Sequence, residues 1–300
     1  MSANIRPPVV AGQFYPARKL DLLAEINRCF RDRKIGPGIS FPEDFKGRES
    51  IKQPCQIDCF VVPHAGYAYS GAVAAHSYAA AHVDLNSKQK TLTAIILGPN
   101  HQGVGSGIAL SPSDEWETPL GRVRIDLKLS KEISESSEII DVDGLAHSYE
   151  HSIEVQLPFL QTLTTNRDLA FVPISLMLQD RESAEEVADS IFKVIKSDQH
   201  RSDQFLILGS SDLTHYESQS RANAQDMKLL DKIETLDLPS YYSTLERNNV
   251  TACGYGAIAV VMRVSQKLGK TKGTVLKYGT SGDVTGDMSS VVGYSAVHFV

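Results

Sequence analysis

The chain has 300 residues, 42% of them hydrophobic, and a formal net charge of −6, with a pI near 5.9. That acidity argues against a phosphate-backbone binder, which needs a basic face, and no apolar run approaches the roughly 20 residues that cross a bilayer. Four scattered cysteines (Cys29, Cys55, Cys59, Cys253) and an N-terminus without an apolar core point to a reducing, cytoplasmic setting.

Composition permits one large α/β domain or two small ones. With no repeat, low-complexity tract or strong linker, a single domain over 1–300 is predicted. Residues 1–19 read as an extended arm, because Pro7, Pro8 and Pro16 fall within it. Leu20, Leu22, Leu23, Ile26 and Phe30 then form a helical stripe. The polar stretch 34–56 is expected to be a surface loop. Phe60-Val61-Val62 is an uninterrupted apolar run, the pattern of a strand covered on both faces, and Pro63 ends it. His64 therefore sits just past a strand's carboxyl end, where parallel sheets place chemistry. An Ala-rich helix follows from Ala72.

A second buried strand, Thr91–Gly98, breaks into Pro99-Asn100-His101. With the first it implies a right-handed βαβ unit whose strand ends lie side by side. Residues 107–125, around the single Trp116, read as a β excursion. Ser148–Leu157 is expected to open a helix, since Ser148 to His151 are capping-type residues. Leu169–Leu176 reads as a strand in which Pro173 marks an edge or a bulge. Arg181–Lys196 is amphipathic. Gln204–Gly209 is a third fully apolar strand, running into Ser210-Ser211-Asp212-Leu213-Thr214-His215. Helices are predicted over 220–247 and 254–268, then an antiparallel pair, 273–280 and 290–300, joined by a Gly/Asp-rich turn. The fold class is α/β: three layers (α/β/α), with a mostly parallel central sheet and antiparallel edge additions.

Three strands thus end in His64, in Asn100-His101, and in Asp212 with His215, and the ends of parallel strands meet in space. A lone strand-end histidine is more often structural than catalytic. Three independent ones point to a site. Two neutral imidazoles with an anionic third donor make a facial metal set with open positions. Asp212, Glu150, Glu154 and Cys253 are candidates for that third donor. Glu150, His151 and Glu154 read either as outer hydrogen-bond support for a metal-bound histidine or as a well-bonded helix start. Tyr15, Tyr67 and Tyr69 either wall a pocket for an aromatic ligand or pack. His76 and His82 fall on different faces of one helix, His147 and His200 read as surface positions, and His298 as structural. Cys55 with Cys59 lacks a second pair to complete a zinc site.

Taken together, Gly12-Gln13-Phe14-Tyr15-Pro16, Pro63-His64-Ala65-Gly66-Tyr67, Leu97-Gly98-Pro99-Asn100-His101, Glu150-His151-Ser152-Ile153-Glu154, Ser210–His215 and Ala252-Cys253-Gly254 resemble the signature blocks of the MEMO family. They occur in order along nearly the whole chain. That family is similar in fold to the class III extradiol dioxygenases (LigB-like, non-haem iron enzymes). The resemblance implies metal ligation by His64, His101 and Cys253, with Asp212 and His215 lining the pocket. Where the related dioxygenases use a glutamate, the matching place here offers Cys253. A thiolate is softer, suits Cu(I), Zn and Fe, and is itself oxidisable. Its place at a helix start is expected to lower the thiol pKa.

The expected function is a MEMO-like, metal-dependent oxidoreductase with Fe(II) on His64, His101 and Cys253, and copper or zinc as alternatives. His215 would be the acid/base, and Asp212 would orient it or the substrate. Tyr67, Glu150 and His151 would face a small-molecule substrate of aromatic type. One other reading is a peptide- or protein-binding module using the same pocket, with Arg6 and Arg18 supplying anion contacts. Another is a zinc hydrolase with Glu150 or His215 as general base. No nucleic-acid or membrane partner is expected.

Overall fold

The structure is a computed structural model that describes residues 3–40, 57–81, 91–164, 168–200 and 203–300. From residue 41 onward the expected 34–56 loop, including Cys55, lies outside the described residues, as does His82. Along the chain, β1 (Ile5–Arg6) and α1 (Lys19–Arg31) lead into β2 (Ile57–Val62), α2 (Ala72–Ala80) and β3 (Leu92–Pro99). β4 (Ile108–Leu110), β5 (Glu115–Thr118), β6 (Gly121–Ile125), α3 (Leu127–Glu135) and β7 (Asp141–Val142) make up the excursion before α4 (Leu157–Leu163) and β8 (Leu169–Leu176). Next are α5 (Arg181–Ile195), β9 (Gln204–Ser210), β10 (His215–Glu217), α6 (Gln219–Glu234), α7 (Leu238–Asn248) and α8 (Tyr255–Lys267). β11 (Gly273–Thr280), the short α9 (Ser281–Thr285) and β12 (Val291–Phe299) close the chain.

Among the described residues, a twelve-stranded sheet runs β1-β5-β6-β8-β3-β9-β2-β12-β10, with β11 on β12 and β4 between β7 and β8. Its centre, β8-β3-β9-β2, is all parallel, and β12 adds antiparallel to β2. Alternate residues of the central strands point to opposite faces. Phe60, Val62, Ile96, Leu206 and Leu208 pack on the side of α1, α2 and α4, against Leu22, Ile26, Ala75 and Phe159. Val61, Ile95, Leu97 and Ile207 pack on the side of α5 and α8, against Val187, Ile191, Ala257 and Val261. Cover on both faces is why these strands read as unbroken apolar runs. The result is the α/β/α arrangement expected. Among the described residues, no helix is long and apolar enough to cross a membrane.

The structure departs from the sequence reading in several places. β2 and β3 are not neighbours, because β9 lies between them. Gly209 pairs with both Val61 and Leu97, so the three strand ends reach one level. Pro173 is in an interior strand, at the point where its neighbour changes from β6 (opposite Ala170 and Phe171) to β4 (opposite Ile174 to Leu176). There a missing N–H costs least. Ser148–Gln156 is not α-helical; Leu145–His147 and Glu154–Gln156 are single 3-10 turns and α4 starts only at Leu157. The Glu150 carboxylate takes the N–H groups of His151 and Ser152, each at 2.9 Å, a side-chain competition that holds a turn in place of a helix. The predicted 220–247 helix breaks at Leu236, which has φ +54, and Asp237 caps α7 through Ser240 N. His147 and His200 are buried rather than superficial. His147 Nε2 bonds Ala109 O at 3.0 Å, and His200 sits between Asp203 and Glu132.

Candidate metal centre

His64, His101 and Asp212 each lie two residues beyond a strand end, of β2, β3 and β9 respectively. Three register-matched strands therefore deliver one polar side chain apiece to the same place. Cys253 arrives from the turn before α8, and Gly254 makes that approach possible. A Cβ there would stand 2.2 Å from Ser210 O, so only glycine lets the turn press against the end of β9. Gly98 acts likewise at the end of β3, where a Cβ would meet Ser152 Oγ at 2.3 Å. The Glu150–Ser152 segment can thus lie beside His101.

A hydrogen-bond network sets the His64 tautomer. Ser210 Oγ donates to Ser152 O at 2.8 Å, so its own proton is already used. It therefore accepts from Gln156 Nε2 at 3.0 Å and from His64 Nδ1 at 2.9 Å. Gln156 is held as the donor because its Oε1 accepts from Tyr78 Oη at 2.6 Å and its Nε2 also reaches Pro63 O at 3.0 Å. His64 carries its proton on Nδ1, and its Nε2 lone pair faces Cys253 Sγ at 3.0 Å. Burial, with neighbouring His151 and His101, holds His64 well below the ordinary histidine range, so it stays neutral.

His101 is oriented the same way by a carboxylate. Glu150 accepts from His101 N at 2.6 Å and from His101 Nδ1 at 2.9 Å. With the two N–H groups of His151 and Ser152 it takes four donors, which directs the His101 Nε2 lone pair away from it. Burial raises the Glu150 pKa, but the His101 hydrogen bond and the His101 and His151 charges outweigh it, leaving the carboxyl well below its usual range. His151 stacks on His101, with ring centroids 4.7 Å apart. Burial lowers His151 to about 4, against the pull of Glu150.

Asp212 Oδ1 accepts from His64 N at 2.8 Å and Ala65 N at 3.3 Å, fixing the turn that carries His64. Burial raises Asp212 to about 6, against those hydrogen bonds. Asp212 N in turn donates to Cys253 Sγ at 3.3 Å. The expected lowering of the Cys253 thiol is not what its surroundings produce. Burial first, and then Asp212, push it above the usual thiol range, outweighing any benefit from the start of α8. His215 Nδ1 lies 2.7 Å from Leu213 O and 3.0 Å from Thr251 O. Two carbonyls require a proton on Nδ1.

The donor atoms fall into two sets that share His64. Those of His64, His101 and His151 all lie within 4.8 Å of one another, and so do those of His64, Asp212 and Cys253. The donor set of the sequence reading, His64 with His101 and Cys253, is thus drawn from both. Two oriented imidazole lone pairs, a thiol and a buried carboxylate suit a transition-metal ion.

Other residues singled out from sequence lie elsewhere. Tyr67 does not wall a pocket: it is 3% exposed, its hydroxyl donates to Val155 O, and its ring packs on Phe159. Glu154 is not a donor candidate either, since it is buried against Arg6 at 2.7 Å and takes Tyr15 Oη at 2.6 Å. Arg6 is consequently unavailable for anion contacts. It also donates to His147 O and Glu150 O, at 2.7 and 2.6 Å, pinning the N-terminal arm beside the site.

The family model described as Memo-like protein matches residues 6–298 of this chain. The chain belongs to the Memo family. A MEMO1 family protein of Nitrosopumilus maritimus is 44% identical over 296 residues, covering 99% of this chain and 100% of the relative. One of Methanosarcina acetivorans is 43% identical over 294 residues, 98% of each chain. A third, of Sulfolobus acidocaldarius, is 44% identical over 297 residues, with 98% and 99% covered. In this Memo-family chain, the site residues that sequence reasoning missed are Ser210 and Gln156. Neither is a metal ligand by type, and both act by orienting His64; the only sequence signal was Ser210 standing at the end of an apolar strand.

Proposed function

We propose that this Memo-family protein is a mononuclear metal-binding oxidoreductase acting on a small molecule, with its ion on His64, His101 and Cys253. Fe(II) is the expected ion, with copper or zinc as alternatives. The observation that carries the reading is the pair of imposed tautomers: Ser210 and Glu150 hold the Nδ1 protons of His64 and His101, turning both Nε2 lone pairs toward the site, that of His64 onto Cys253 Sγ at 3.0 Å. Metal-bound histidines are commonly held in this way.

When bound, the ion would supply a redox-active or Lewis-acid centre. The chain's own groups handle the proton and the approach. His215, tied through Nδ1 to two carbonyls, presents Nε2 to accept a substrate proton. Asp212 anchors the His64 turn. His101 stands at the exposed rim, so a small molecule can approach from solvent. A reducing cytoplasm suits the free Cys253 thiol. The hydrolytic alternative loses Glu150 as its base, because that carboxylate already accepts four N–H groups.

The test begins with metal analysis of protein purified without added metal, beside His64→Ala, His101→Ala and Cys253→Ser. Anaerobic reconstitution with Fe(II) and oxygen uptake with catechols and other phenols follow. Bound metal that the three variants lose, together with oxygen uptake, is the expected result. No bound metal and no turnover in any metal state would sink the reading.

A further inference from the structure

Tyr216 is held against the preferences of both its backbone and its side chain. In the β10–β12 pair, His215 stands opposite Val292 and Glu217 opposite Val291. Tyr216 is therefore the extra residue of a bulge, a device that re-aims a side chain beside a site. Its φ is +60, the left-handed region that is costly for an aromatic residue, and it is 79% exposed. Its neighbours enforce that conformation. Asp226 accepts from Thr214 N at 3.0 Å and from Thr214 Oγ1 at 2.6 Å, and Thr251 Oγ1 accepts from His215 N at 2.8 Å. Glycine or asparagine would fill the same bulge at less cost, and so exposed a ring does little packing within the chain. The ring serves something that binds beside it.

That place is next to the reacting groups. The Tyr216 ring centroid is 5.7 Å from that of His215, with the planes at 65°. Asp212, Tyr69 and Tyr216 all lie near enough to add to burial in raising the Tyr294 hydroxyl pKa, against a Ser281 hydrogen bond. We infer that Tyr216 is a substrate-contacting residue whose ring takes the planar ring of an uncharged aromatic substrate, holding it beside His215. Contact between two rings is favoured beyond the area it buries, which is the return on the strained backbone. An uncharged ring fits because the adjacent Glu217 is already paired with Arg221 at 3.4 Å. The inference rests on the small-molecule reading above and deepens it by naming the substrate class and the group that selects it. It also moves the aromatic contact expected of the buried Tyr67 to a residue that solvent reaches.

The experiment titrates p-cresol and its ring-saturated counterpart into the parent, Tyr216→Asn and Tyr216→Phe by calorimetry. Each protein is used metal-free and anaerobically loaded with Fe(II), and the metal-free forms are also unfolded by heat. The parent should prefer p-cresol to the saturated alcohol. Tyr216→Asn should lose roughly 3- to 10-fold in p-cresol affinity, with the saturated alcohol within about twofold, yet melt about 1–3 °C higher as the strain is relieved. Tyr216→Phe should match the parent in both. A purely structural ring would not give lower affinity together with higher stability. Unchanged p-cresol affinity in Tyr216→Asn, a lower melting temperature there, or no p-cresol binding to the parent in either state would overturn this inference and leave the metal centre standing. A parent that holds no iron would overturn the metal reading instead, and the metal-free titrations would still decide the role of Tyr216.

Discussion

His64 Nδ1 and Ser210 Oγ lie 2.9 Å apart, brought together across 146 residues of chain. Ser210 has no proton left to offer, since Ser152 O takes it. The contact is thus a one-way constraint that fixes where the His64 lone pair points. Ser210→Ala would remove the acceptor and free His64 to protonate on either nitrogen. Metal affinity should fall by roughly 10- to 100-fold, as for other lost outer partners of metal-bound histidine. Nitrogen-detected NMR of the metal-free protein should show a single Nδ1–H form in the parent and a mixture in the variant. A single form in both would remove Ser210 from its role.

Much of this site was legible before any coordinates. Phe60–Val62, Ile95–Leu97 and Leu206–Leu208 read as central strands because both of their faces are covered, and each is followed closely by His64, His101 or Asp212. Strand order was not legible. Nothing local to β2 or β3 says that β9 enters between them, because that pairing is formed by residues more than a hundred positions away. Residue type misled where burial decides. Arg6 and Tyr67 look like ligand-binding groups, but Glu154 and Val155 already take their polar atoms. The helix predicted at Ser148 failed for a related reason: the capping-type Glu150 serves His101 as well as its own backbone.

Gly254 gives a second prediction. Gly254→Ala places a methyl group 2.2 Å from Ser210 O, at the end of β9, and 2.9 Å from Ser211 Cβ, one residue beyond it. Relief requires the Cys253 turn to move outward. Overpacking of this kind costs about 1–3 kcal/mol, so the melting temperature should fall, and metal affinity should fall with it as Sγ leaves His64. A variant with the parent's melting temperature and metal affinity would show that the turn does not depend on this close approach.

The buried pair Arg6–Glu154 supports a third. Arg6 is 6% exposed and Glu154 fully buried, and Glu154 also accepts from Val9 N, Val10 N and Tyr15 Oη. Arg6→Met leaves an uncompensated buried carboxylate, which costs about 3–5 kcal/mol. The low end applies because those three donors remain. Arg6→Met combined with Glu154→Leu should cost less than the sum of the single changes, since no charge is stranded. Urea unfolding of the four proteins gives the cycle, and strict additivity would mean that the pair contributes no coupling.

His147 predicts how stability depends on pH. It is 1% exposed, its Nδ1 has no partner, and its ring meets Trp116 edge-on. Burial lowers its pKa from 6.5 to about 4, against the hydrogen bond to Ala109 O. The folded form therefore binds its proton less readily than the unfolded chain, and stability rises with pH wherever the unfolded chain is the more protonated. This contribution is complete above about pH 6.5 and is lost as pH falls from there toward 4. It amounts to about 3 kcal/mol across the window, at roughly 1.36 kcal/mol per pKa unit. His200 has the opposite sign. Burial would lower it, but Glu132 and Asp203 outweigh that and raise it, so its contribution is present below the unfolded pKa and fades as pH rises through the folded one. His147→Gln should flatten the acid limb of a urea-midpoint profile measured between pH 4 and 7, and His200→Gln should leave that limb in place. An acid limb equally steep in His147→Gln would assign the loss to other groups.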